Sequence, residues 1–539
     1  MTQKSTPYLI IALVGMILFI PFLGKVHLFD WDEINFAECA REMLVTKNYL
    51  RVQIDYSPFW EKPPLFIWLQ ALSMSVFGVN EFAARFPNAL AGIITLMVLF
   101  RIGKKVAGMG TATFWTILYI ASWLPHFYFK TGIIDPIFNL FIFLAFYQIH
   151  LLTKTQKTNA AILTGVFLGL AILTKGPVTI LIAAISWLVF ILLNRGTLPF
   201  PWSKLFVVAF SAFVVSFIWF GIEWIKNGPW FMQEFIRYQI RLMRTEDADH
   251  GGPFFYHWIV LLIGCFPASA LLFQYIGRNR KRNFAPKSKD FSIWMWILFW
   301  VVLILFSLVK TKIIHYSSLC YFPLTYLAAL KVNELWMARE RMNTATLMAF
   351  NFLGILLALA ITLLPVVGIR KNELIPFFDD PFAVANLNAQ VPWSYMECII
   401  GLIYLIAMLM IAFTLRRFFK MSILILFAVQ VLVIQLTIIH FTPKIEAYSQ
   451  RAAIDFYKQF EGKQVYIHPL GFKSYAVFFY AKKPFMNQKQ YHNQDWLLNG
   501  KVDRPTYFVS KIQNAEQYKK LPQLELLYEK NGFVFFKRK

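Results

Sequence analysis

Tyr8-Leu-Ile-Ile-Ala-Leu-Val-Gly-Met-Ile-Leu-Phe-Ile-Pro-Phe-Leu-Gly24 is an unbroken apolar run, and shortly after it comes Phe29-Asp30-Trp31-Asp32-Glu33. The run carries no small-x-small cleavage site and many more of its kind follow, so it reads as an anchor and not as a removed signal. Carboxylates packed this closely at the edge of hydrocarbon repel one another and are costly to desolvate. They persist where they face a polar cavity, a cation or a partner base. The junction therefore predicts a membrane protein with a charged feature at the lipid boundary.

Composition agrees. The 539 residues are 58% hydrophobic, 18% aromatic and only 15% charged, whereas soluble domains run near 25% charged. Stretches able to cross ~30 Å of hydrocarbon are predicted at 8–28, 86–103, 112–129, 133–152, 160–175, 177–194, 205–225, 254–276, 292–309, 313–331, 347–368, 395–415 and 422–441. The net charge of +24 sorts by loop: Arg101, Lys104 and Lys105, then Lys154 and Lys157, then the basic run 278–289, then Arg416, Arg417 and Lys420. These are alternate loops, as positive-inside sorting requires for a cytoplasmic N-terminus. Membrane topology thus accounts for the charge without nucleic acid. Cys39, Cys265, Cys320 and Cys398 show no metal-ligand spacing and read as inert packing.

Two outer stretches are long enough to hold chemistry, 29–85 and 226–253. Within the first, Ile34–Leu44 and Leu65–Phe77 look helical but are too short to span, so they are expected along the interface. Beyond residue 442 the composition turns soluble, with a helical stretch at 445–460 and strand-like pieces at 464–468, 505–510, 524–529 and 533–537. This predicts a small extracytoplasmic α/β domain over 442–539, after a membrane domain over 1–441. It has no phosphate-cradling glycine loop.

Spacing alone leaves the acidic cluster two readings: an ordinary acidic loop, or carboxylates set to take a proton from a hydroxyl, a role worth roughly 10²–10⁴-fold in rate. Phe59-Trp60-Glu61-Lys62-Pro63-Pro64-Leu65 is similarly open. Its prolines stiffen the entry into the second interfacial helix. Lys62 is then either a point charge for a phosphate or a snorkelling lysine, and Glu61 a cation ligand or a counter-charge. His250 reads as a turn residue or a ligand. Lys175, between the fifth and sixth spans, reads as a helix-end snorkeler or as the lining of a groove.

These pieces come in a familiar order. Asp32-Glu33, Ala37-Glu38-Cys39-Ala40-Arg41-Glu42-Met43, Glu61-Lys62-Pro63-Pro64-Leu65, Phe77-Gly78-Val79-Asn80-Glu81 and Ala84-Arg85-Phe86-Pro87 lead the series. Thr131-Gly132-Ile133-Ile134-Asp135-Pro136, Leu173-Thr174-Lys175-Gly176-Pro177, His250-Gly251-Gly252-Pro253-Phe254 and Lys310-Thr311-Lys312-Ile313-Ile314-His315-Tyr316 continue it. Together they resemble the GT-C glycosyltransferases, in the branch holding the aminoarabinose lipid A transferase and the dolichyl-phosphate-mannose protein mannosyltransferases. The resemblance implies Asp32, with Glu33 and Asp135, as the catalytic carboxylates. It implies Lys62, Lys312 and Tyr316 near the carrier phosphate, and Glu61 with His250 on a shared divalent cation (zinc, magnesium or manganese). Asn35-Phe36 depart from the family's Arg-Tyr, and an arginine past His250 is missing. Arg241, or its neighbours Arg237 and Arg244, stands in for that charge.

The expected protein is a polytopic α-helical membrane enzyme with about thirteen transmembrane helices and a small C-terminal α/β domain, in a bacterial inner membrane. It is expected to move a sugar from a polyprenyl-phosphate carrier to a lipid A, glycan or protein acceptor at the extracytoplasmic face. A flippase of lipid-linked sugars is the competing reading; it predicts paired broken helices and charges at mid-membrane.

Overall fold

The computed structural model describes residues 5–244, 251–276, 288–338, 341–486 and 489–539. Most of it is helix. Among the described residues, eight helices are long and apolar enough to cross a membrane, from Glu81–Val106 to Phe419–Glu446. A bent pair, Tyr256–Gly264 with Ala268–Tyr275, turns by 102° and makes up to nine. Four shorter apolar helices accompany them: Thr6–Phe19, Leu65–Phe77, Met109–Ala121 and Val178–Leu193.

Lipid offers no hydrophobic drive between helices, so packing relies on close backbone approach. Gly165 and Gly169 provide it one turn apart on Thr158–Lys175. A Cβ at Gly169 would stand 2.7 Å from Val215 Cβ, and one at Gly165 would collide with the backbone at Val208. Trp202–Asn227 therefore lies flat against that face, with Asp135–Thr155 on another side of the same helix.

The 29–85 stretch folds as the sequence suggests, into helices Asp32–Thr46 and Leu65–Phe77. Between them Gln53–Ile54 and Ser57–Pro58 pair around Asp55 and Tyr56, both at positive φ. Residues 466–538 hold a mixed four-stranded sheet in the order Tyr466–Leu470, Thr506–Lys511, Phe533–Arg538, Leu524–Lys530. The first pair is parallel, with Tyr466 opposite Thr506, and the others antiparallel. One buried cluster joins Phe36, Met43 and Phe66 of the loop helices to Phe456, Val509 and Phe535, so the sheet-bearing residues rest on the 29–85 stretch. Polar contacts pin the two: Leu28 N donates to Tyr480 Oη at 2.7 Å, Arg41 to the Lys483 carbonyl at 3.0 Å, and Lys483 pairs with Asp55 at 2.7 Å.

Arg85, buried near the start of Glu81–Val106, fastens the loop to the bundle. Its Nε and Nη2 reach the two oxygens of Glu33 at 2.9 and 2.8 Å. The remaining donors go to the carbonyls of Leu23, Val26 and His27 at 2.8, 2.7 and 2.9 Å. Glu33 also accepts from Phe29 N at 2.9 Å and from Gly132 N. Removing one partner of such a pair leaves a buried charge uncompensated, at a cost of about 3–5 kcal/mol. Arg85→Met should therefore lower the thermal midpoint of the detergent-purified protein markedly. A midpoint equal to wild type would show that the pair does not hold the loop.

Candidate active site

Two carboxylates open helices at the same spot. Asp32 is the first residue of Asp32–Thr46, and Asp135, followed by Pro136, is the first of Asp135–Thr155. Both positions favour negative charge, because the unpaired N–H groups of a helix start carry partial positive charge. Between the two acids stands His315. Its Nε2 lies 3.4 Å from Asp32 Oδ2 and 3.7 Å from Asp135 Oδ2. Asp135 is buried with its Oδ2 lacking a hydrogen-bond partner, while Asp32 keeps 32% of its side chain exposed. Burial pushes the Asp32 carboxyl up; the His315 bond and the positive charges of His315, Lys62 and Lys175 outweigh this and bring it down to about 2.

Lys175 closes Thr158–Lys175, where a cation meets the negative helix end. It is not a snorkeler. Its ammonium bonds Asp135 Oδ1 at 2.5 Å and lies over the rings of Tyr316 and Phe138, 5.0 and 5.6 Å from their centroids. Gly176 follows at φ +87°, and a side chain there would collide with the Phe235 ring. Lys175, Lys62, Gln239, Phe306 and Tyr316 line a cavity of about 260 Å³. The ammonium of Lys62 sits 5.4 Å from the Tyr238 ring, and Arg241 meets the same ring at 5.1 Å.

Other expected site residues fall elsewhere. Glu33 is not beside the reacting groups: Arg85 and two backbone amides take both its oxygens, and it positions the loop that carries Asp32. Lys312 is buried, with its ammonium on the carbonyls of Phe306, Ser307 and Val309 at 3.1, 2.7 and 2.6 Å. It closes the end of Lys289–Leu308 instead of facing the cavity. Burial pushes the Glu61 carboxyl up, against the lowering effect of Lys62, Lys473 and a bond from Tyr238. His250, its expected partner on a cation, lies outside the described residues. Among the described residues no three His, Cys, Asp or Glu side chains converge as a metal would need. His315 sits in the quoted 310–316 motif, which holds no acid; its place between Asp32 and Asp135 comes from the fold, and the sequence carried no signal for it.

Comparisons with known proteins bear on this geometry. Residues 61–219 match the family model of dolichyl-phosphate-mannose-protein mannosyltransferases. The undecaprenyl phosphate-alpha-4-amino-4-deoxy-L-arabinose arabinosyl transferase of Wigglesworthia glossinidia brevipalpis is 27% identical over 337 residues, covering 60% of this chain and 58% of that one. The same-named protein of Edwardsiella ictaluri is 28% identical over 346 residues, covering 62% and 60%. These matches span about six tenths of the curated relatives' length. The crystal structure of ArnT from Cupriavidus metallidurans bound to undecaprenyl phosphate superposes with a TM-score of 0.75 at 16% identity, over 99% of this chain and 98% of that one. The chain has the GT-C glycosyltransferase fold.

In this GT-C fold, Asp32 and His315 stay part-exposed while Glu33 and Lys312 are buried and locked in place. Asp32→Asn should cut turnover by roughly 10²-fold or more and lower the thermal midpoint only modestly, because the folded state favours the charge that the substitution removes. His315→Gln should do the same. Near-normal activity in both variants would remove the pair from the chemistry.

Proposed function

We propose that the protein transfers a sugar from a polyprenyl-phosphate carrier to an acceptor, in the manner named for the relatives it resembles. The observation that carries this is a pair of neighbouring cavities that share Leu305. A groove of about 780 Å³ runs between Val178–Leu193 and Lys289–Leu308, walled by Ile185, Val189, Trp300, Val301 and Leu305. Leu305 also lines the cavity that Lys62 and Lys175 border. An apolar trough that ends on two ammonium groups suits a lipid tail joined to a phosphate. A water-soluble nucleotide sugar has no use for the trough.

The chemistry follows from the groups at its mouth. Lys62 and Lys175 hold the carrier phosphate, with Tyr316 beneath, and stabilise the charge that grows on it as the sugar leaves. An acceptor oxygen attacks the anomeric carbon, and its proton passes to the Asp32–His315 pair. A carboxylate held near 2 is a weak proton acceptor. Once a phosphate neutralises Lys62 and Lys175, two of the charges that lower Asp32 are cancelled and its proton affinity rises. The donor thereby prepares the base. Asp135 keeps Lys175 in position.

The thirteen-span topology, a cytoplasmic N-terminus and a C-terminal α/β domain over 442–539 at the extracytoplasmic face, in a bacterial inner membrane, complete the reading. All the acids and bases above then lie on the outer side, with lipid A, another glycan or a protein as the acceptor. A divalent cation at Glu61, with His250 as partner, fits a carboxylate whose burial disfavours bare charge; it would tie the two outer stretches together. The flippase reading gains nothing from the structure: its one bent helix pair among the described residues has no counterpart.

Purified protein in nanodiscs should release sugar from radiolabelled undecaprenyl-phosphate sugars to an acceptor. Lys62→Ala should weaken undecaprenyl-phosphate binding by about 1–3 kcal/mol, with Lys62→Arg recovering part. Because bound donor raises the Asp32 pKa, the acid limb of kcat should lie at higher pH than that of kcat/KM for donor. Carrier movement across the bilayer without turnover would overturn the reading. Metal analysis should find one divalent ion in wild type and less in Glu61→Ala and His250→Ala. Equal content in all three would remove the shared site.

A further inference from the structure

His315 stands between two acids that do not offer it the same bond. Asp135 is buried, with Oδ1 held by Lys175 at 2.5 Å and Oδ2 without a hydrogen-bond partner. Asp32 keeps part of its side chain exposed and can turn to water. An unpaired buried oxygen is costly, so the imidazole is drawn towards Asp135. Its Nε2 nevertheless stays 3.7 Å from Asp135 Oδ2 and nearer, at 3.4 Å, to Asp32 Oδ2. A hydrogen bond to Asp135 would close to about 2.9 Å. Nε2 carries one hydrogen at most, and a straight bond to Asp135 takes it from Asp32. Something must hold the imidazole back.

The backbone under His315 is braced. His315 lies on the 3₁₀-helix Ile314–Cys320, where residues three apart eclipse. Ser318 therefore sits one turn beyond it, and its Oγ donates to the His315 carbonyl. Asp135 lies on an α-helix, where residues four apart share a face. Asn139 is therefore one turn beyond Asp135 on the same side. These two followers meet. Asn139 Nδ2 donates to Ser318 Oγ at 2.8 Å and, with its other hydrogen, to Tyr128 Oη at 2.7 Å. Each working residue thus has a support one turn along its own helix, and one amide joins the supports. On another side, His257 Nδ1 lies 3.2 Å from Ser317 Oγ. One turn deeper the seam is apolar, with the rings of Phe143 and Phe322 stacked at 4.7 Å. Asn139 and Ser318 are each only 1% exposed. An amide buried this fully in a membrane helix is expensive, and it is retained where it has a task.

We infer that Asn139 is a positioning residue for the Asp32–His315 pair. It sets the place of the 3₁₀-helix against the helix of Asp135, and so keeps the imidazole on Asp32 and off the unpaired oxygen of Asp135. A misplacement of about 1 Å is enough to lower a rate by roughly 10²-fold, and the two acids compete for His315 over a smaller difference than that. The effect of Asn139 on rate rests on the glycosyl-transfer reading; its effect on geometry does not.

The test compares Asn139→Leu, which keeps the size and removes the amide, with Ser318→Ala, which breaks the same bond from the other end, in full-length protein in nanodiscs. Titration with undecaprenyl phosphate counts the binding-competent molecules, and rates are taken per such molecule. Either variant should lower kcat roughly tenfold or more and leave KM for the donor within about twofold. The double variant should be no slower than the slower single one. In a His315→Gln background, Asn139→Leu should change kcat by less than about twofold, because it acts through the histidine. A general loss of structure would cost as much there as in wild type. A cryo-EM map of Asn139→Leu, or of Ser318→Ala if the leucine variant does not fold, should show His315 Nε2 within about 3 Å of Asp135. His315 in its wild-type place, a full loss repeated in the His315→Gln background, or an unchanged kcat in both variants overturns the inference. A displaced His315 in a protein that turns over no lipid-linked sugar keeps the brace and rejects the transfer reading.

Discussion

The buried pair between Arg85 and Glu33 sets the geometry on which everything else depends. Five guanidinium contacts gather the end of the first apolar segment, the acidic junction and the Glu81–Val106 helix into one rigid corner. Glu33 adds Gly132 N, and so reaches the segment that leads into Asp135. Asp32 is the neighbour of Glu33, and it inherits a fixed place from a contact it does not make. Buried ion pairs contribute little net stability when weighed against an apolar replacement, yet they specify one arrangement by penalising all others. Here that arrangement brings two helix starts together.

From that corner the electrostatics follow. Asp32 and Asp135 share His315, Asp135 holds Lys175, and Lys175 faces Lys62 across a cavity. Each charge is supported by a helix terminus or by an opposite charge, so the site can keep several ionised groups out of bulk water. The two lysines are the members not fully satisfied by protein carboxylates: Lys175 has one partner and rests on rings, and Lys62 rests on Tyr238. An anion completes the set. The apolar groove that arrives at the same place makes the fitting anion one with a lipid tail.

Much of this was readable along the chain. The apolar runs, the short helix Leu65–Phe77 and the strand expected at 524–529, which runs one residue further to Lys530, follow from local periodicity, which needs no knowledge of neighbours. Asp32 and Lys62 stood out because charge next to hydrocarbon is expensive wherever it occurs, and Asp135 through the resemblance of its motif. What sequence could not sort was the role of each charge. Glu33 and Asp32 are adjacent and alike, yet the helix turn aims one at Arg85 and the other at His315. Lys175 read as a snorkeler or a groove lining, and Lys312 was implied beside the carrier phosphate; both lie at or just past the end of an apolar helix. One meets Asp135, forty residues earlier in the chain, and the other folds back on its own helix end. His315 has no local mark at all; its meaning comes from residues far away at 32 and 135.

The central claim is that a lipid phosphate sits between Lys62 and Lys175, next to the Asp32–His315 pair. The most direct measurement is a cryo-EM structure of the protein in nanodiscs with undecaprenyl phosphate. The account predicts phosphate density within ~4 Å of both ammonium groups and a tail leaving past Leu305 along the groove between Val178–Leu193 and Lys289–Leu308. Phosphate density on Lys312, or at a site away from Asp32 and His315, would contradict it.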